Sequence, residues 1–88
     1  MNRNIPERFD KDKIYYTKII GCEELTLFIY EYCKGVWTFR LFDDGEPTNM
    51  RVGNTPEVVI IDNECFITKE EYDDLIFLDE LRKWLSGK

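Results

Sequence analysis

The sequence predicts an α+β fold: a two-layer antiparallel sheet of four to five strands with a C-terminal helix packed on one face. Three observations carry this. Two runs of β-forming residues flank a tight-turn signal near the middle of the chain, a capping pattern opens an amphipathic stretch near its end, and 88 residues leave room for only one core. A chain of this length buries roughly 60–65% of the surface exposed by its unfolded form, enough to fold without staples but not to enclose a deep substrate cavity.

Residues 1–12 mix charge with two apolar anchors, Ile5 and Phe9, and read as an N-terminal arm preceding a single domain over residues 13–88. From Lys13 to Ile20 the residues are mostly β-formers, ended by Gly21, and give the first strand. Leu25–Tyr32 and Val36–Phe42 form the next two. A turn at Lys34-Gly35 sets their register, so that Tyr32 opposes Trp37, Tyr30 opposes Phe39 and Phe28 opposes Leu41 on one aromatic face. The other face carries Leu27, Ile29, Glu31, Thr38, Arg40 and Phe42, with Glu31 and Arg40 placed for a diagonal ion pair. A helix over Glu24–Lys34 is the competing reading, since Leu25, Phe28, Ile29 and Tyr32 also fit the helical template. The aromatic content and the matched partner strand favour the hairpin.

Asp43-Asp44-Gly45 marks a turn, Glu46–Val52 a short edge-like segment, and Val58-Val59-Ile60-Ile61 a buried strand. Asp62-Asn63 leads into a further strand at Cys65-Phe66-Ile67, or else the whole stretch is one strand with a loop. Thr68-Lys69-Glu70-Glu71 is a capping box. In the helix it opens, Leu75, Phe77, Leu78, Leu81, Trp84 and Leu85 fall in one half of the wheel and are expected against the aromatic sheet face; Gly87 ends it.

Little in the chain points to catalysis. It contains no histidine, and its three cysteines lack the spacing of a zinc site and read as reduced apolar fillers. No phosphate-binding or nucleophile-elbow motif occurs. Asp43, Asp44, Glu46 and Asn49 offer oxygen ligands but match no calcium-loop spacing. The expectation is a protein that is not an enzyme and needs no cofactor or metal. No membrane span and no secretory signal are read in the chain, which predicts a cytoplasmic location.

The charge is uneven. Residues 57–80 carry nine acids and one base, whereas residues 1–56 are nearly balanced at −1 and the last eight carry +3. Helix-dipole preference explains part of this; the remainder predicts a negative surface that repels nucleic acid and attracts basic protein. On the helix face opposite the apolar stripe, Tyr72 and Ile76 lie one turn apart among Asp73, Asp79 and Glu80, and these five are the candidate partner-binding residues. The function expected is a small acidic binding protein, an inhibitor or antagonist that blocks a basic surface on a nuclease, polymerase or toxin, with carboxylates mimicking the phosphates of nucleic acid. The alternative is a self-associating structural or accessory subunit that pairs through the sheet face around Leu27, Ile29 and Phe42.

Overall fold

The computed structural model describes residues 3–87. One five-stranded antiparallel sheet carries the C-terminal helix: β1 Tyr15–Ile19, β2 Leu27–Cys33, β3 Val36–Leu41, β4 Thr48–Asn49 and β5 Glu64–Ile67, then α1 Lys69–Ser86. The strand order is β4-β3-β2-β1-β5, so the first four strands form a meander and β5 returns to the far edge beside β1.

The central hairpin has the expected register. Tyr32 faces Trp37, Tyr30 faces Phe39 and Phe28 faces Leu41. Its turn places Lys34 at φ 52° and Gly35 at φ 89°, the two positive angles of a type I′ turn, whose twist matches that of the flanking strands. Both residues lie in the left-handed region, which glycine enters without a Cβ penalty.

The layers differ from expectation in which face the helix takes. The aromatic face is covered by irregular chain. Tyr30, Trp37, Met50 and Phe66 form its buried centre, with Phe9, Val59 and Ile60 packed over it. Phe9 meets Tyr15 edge-on at 4.9 Å between centroids and lies 6.1 Å from Trp37 and 5.7 Å from Phe66. The residues before it are tied to β5: the Phe66 amide donates to the Arg3 carbonyl at 2.9 Å, and the Arg3 guanidinium donates to the carbonyls of Ile61 and Asp62. With that face filled, α1 packs on the opposite one, where Tyr72, Leu75 and Ile76 meet Leu27, Ile29, Tyr16 and Ile67. Only Thr68 separates β5 from α1, so the helix lies against the neighbouring strand β1.

Three local expectations are corrected. Val58–Ile61 is not a strand: Pro56–Val58 is a turn of 3-10 helix, Val58 and Ile61 are exposed, and Val59 and Ile60 close over the aromatic core. Pro56 at the start of that turn favours the tight conformation over an extended one. Of the cysteines only Cys65 is buried; Cys22 and Cys33 are exposed. Glu31 and Arg40 form no ion pair among the described residues.

Candidate protein-binding surface on the C-terminal helix

Thr68 starts α1 as expected, its hydroxyl accepting the Glu71 amide at 3.0 Å. The Glu71 carboxylate leaves the capping box half-made. It accepts from Lys18 Nζ at 2.9 Å and so ties the first turn of the helix to β1. Lys69 completes this end: it pairs with Asp73 at 2.8 Å and lies 5.8 Å from the Tyr16 ring centre and 5.9 Å from that of Tyr72. The Asp73 carboxylate holds the Lys69 ammonium above its ordinary range.

From there the helix has two apolar faces, and the smaller one is buried. Tyr72, Leu75, Ile76 and Asp79, spaced i, i+3, i+4, i+7, point at the sheet; Tyr72 is 8% exposed and Asp79 7%, with Leu75 and Ile76 half-buried. Of the predicted site residues, Tyr72, Ile76 and Asp79 are therefore turned inward, and only Asp73 and Glu80 lie on the outside. Asp79 is neutralised by Arg82 at 3.3 Å and Lys83 at 3.1 Å. Periodicity favoured the other set because it contains more large side chains, but a wheel cannot tell which sheet face is still open.

The larger apolar set is left outside. Phe77, Leu78, Leu81, Trp84 and Leu85 are between 43% (Leu81) and 63% (Phe77) exposed. They span about 120° of the wheel at 100° per residue, on the side away from the sheet. Every described residue from Glu80 to Gly87 is exposed, so the last turns of α1 extend past the sheet, in keeping with principal extents of 47 × 30 × 20 Å. Monomeric soluble proteins seldom expose contiguous apolar patches of more than roughly a few hundred Å², and those that do use them for contact. Glu70, Asp74 and Glu80 lie along or beside the stripe and have no ion pair or hydrogen bond among the described residues.

Other concavities are shallower in chemistry. A groove of about 430 Å³ runs beside the start of α1 between Asn4, Ile14, Tyr16, Ile67 and Lys69. A second, of about 330 Å³, opens on the sheet beyond the helix, floored by Ile29, Thr38 and Arg40. Among the described residues no three His, Cys, Asp or Glu side chains gather as a metal site, and no helix is long and apolar enough to cross a membrane. The sheet surface around Leu27, Ile29 and Phe42, expected to pair with a second copy, packs into the cluster that α1 closes.

One acid of the 57–80 run is not part of any surface. Glu64 is 1% exposed at the start of β5. One carboxylate oxygen accepts from the hydroxyls of Thr17, at 2.6 Å, and Tyr30; the other accepts the Ile61 amide at 3.2 Å. This is a closed set of partners with no opening to a substrate. Compared with protein-family models, curated proteins and solved structures, the chain matches none.

Proposed function

We propose that this chain is a non-enzymatic binding protein whose contact with its partner is the outer face of α1. One observation carries the reading: Phe77, Leu78, Leu81, Trp84 and Leu85 are exposed together on a helix that already buries its opposite side. Side chains of this kind, desolvated at the centre of an interface, supply most of its binding energy, while a charged rim selects the partner. The rim here is acidic, through Glu70, Asp74 and Glu80, which have no ion pair among the described residues. The partner is accordingly a protein with a basic surface, and an acidic domain seated on a nucleic-acid-binding groove acts as its antagonist.

The test is capture from lysate with the tagged protein and with Leu81→Asp and Leu85→Ser side by side. The intact chain is expected to retain a basic protein that releases as salt is raised to about 0.5 M, where surface charges are screened. Both variants, altered only at exposed positions, keep the melting temperature and lose the partner. Retention by Leu81→Asp equal to that of the parent chain would remove α1 from the contact.

A further inference from the structure

The outer face of α1 has an order along the helix, and that order says what can lie on it. Glu70, Asp74, Phe77, Leu81 and Trp84 recur at alternating spacings of four and three residues, the seam of a coiled coil. Leu78 and Leu85 flank the seam on one side, Asp73 and Glu80 on the other. The seam begins with two acids and continues with large apolar residues, so it is polar at the N-terminal end of α1 and apolar towards the C-terminal end.

A second copy of the chain does not answer this pattern. Parallel pairing sets Glu70 on Glu70 and Asp74 on Asp74. Antiparallel pairing centred near Phe77 buries most of the seam but places Glu70 opposite Trp84 and Asp74 opposite Leu81, a carboxylate against an apolar side chain. Centring on Leu81 spares the apolar residues but confines the overlap to the last turns, leaves Glu70 unanswered and brings Glu80 beside its own symmetry mate. Each copy also carries a net charge of −6. The bases that α1 offers, Lys69, Arg82 and Lys83, are already engaged with Asp73 and Asp79.

Resting on the reading that α1 is the contact, we infer that its occupant is an amphipathic helix of a partner protein, antiparallel to α1, apolar in its N-terminal half and carrying Lys or Arg in its C-terminal half. In that arrangement the partner's apolar residues meet Phe77, Leu81 and Trp84, and its bases meet Glu70 and Asp74. Bases in the last turns also suit the partner helix's own dipole, and the two dipoles oppose. The projection of α1 beyond the sheet leaves this track open along its length.

Three synthetic 21-residue helical peptides test it, each titrated against the whole protein by fluorescence anisotropy. One has leucine at the seam positions of its first two heptads and lysine in the third; the second has glutamate in place of the lysines; the third has the lysines in the first heptad instead. The first is expected to bind about tenfold more tightly than the other two, the advantage shrinking in high salt. The Glu70→Lys, Asp74→Lys double variant is expected to prefer the glutamate peptide, with Glu70→Gln, Asp74→Asn as a milder pair should the first lose helix content. Equal binding of all three, abolished by Leu81→Asp, would overturn the basic helix while leaving α1 as the contact. No peptide binding, with natural-partner capture still lost in Leu81→Asp, would overturn a helical occupant but not the proposed function. A concentration-dependent dimer in sedimentation, dissolved by Leu81→Asp, would assign the face to a second copy and overturn the inference.

Discussion

Glu64 sits where β1, β2 and the chain before β5 converge, and its surroundings are all donors. In the sequence it is one more acid in an acidic run; nothing local marks it as buried, because its partners Thr17 and Tyr30 come from strands 47 and 34 residues away. Glu64→Gln keeps the shape but leaves fewer acceptors for three donors, and is expected to cost about 1–3 kcal/mol in urea unfolding. Tyr30 gives this cluster a pH signature. Burial first, and then the bond to Glu64, push its phenol above the ordinary value, so the folded state favours the neutral form. That stabilisation is complete below about pH 10, where the unfolded phenol starts to ionise, and is lost as pH rises towards the folded value, by up to about 1.4 kcal/mol per pH unit. Melts between pH 9 and 11.5 are expected to fall steeply, and Tyr30→Phe to flatten the fall. Burial raises the Tyr72 phenol too, with the nearby Arg40 charge opposing, so part of the slope persists in that variant.

Elements built from adjacent residues were the ones the sequence described best. The β2–β3 hairpin was readable to the residue because its turn and both strands are contiguous, so pleat alternation alone fixes the pairs. Lys34 occupies a left-handed position better suited to asparagine, and Lys34→Asn is expected to raise stability by a few tenths of a kcal/mol. The start of α1 was equally local, through Thr68. Its facing was not. Composition shows two apolar sets on the helix, and the choice between them depends on which sheet face the arm and residues 50–61 have already filled. The contrast is measurable: Tyr72→Ala is expected to destabilise by about 2–4 kcal/mol, whereas Leu81→Ala changes stability by less than about 0.5 kcal/mol. Equal losses at the two positions would mean that the face now assigned to solvent is packed. The Val58–Ile61 run misled for a related reason, since two of its four residues serve as a lid over the core and no strand is needed for that.

Across the whole molecule, the arm and the acidic run acquire roles that depend on distance in space. Phe9 belongs to the aromatic cluster with Tyr15, Trp37 and Phe66, so Phe9→Ala is expected to cost about 2–3 kcal/mol although it lies outside the sheet. Of the nine acids in residues 57–80, Glu64 is enclosed by hydroxyls and Asp79 is neutralised by two bases, so the outward negative field comes from fewer groups than the count implies. Sequence alone determined the α+β class, the hairpin with its register, the helix with its cap and the absence of histidine, because each depends on residue type and near-neighbour spacing. Tertiary structure alone decided that α1 covers the mixed sheet face, that Tyr72, Ile76 and Asp79 turn inward and that Phe77, Leu78, Leu81, Trp84 and Leu85 remain outside. Burial is a competition among segments for the same two sheet faces, and hydrophobic attraction has no direction of its own with which to announce the winner.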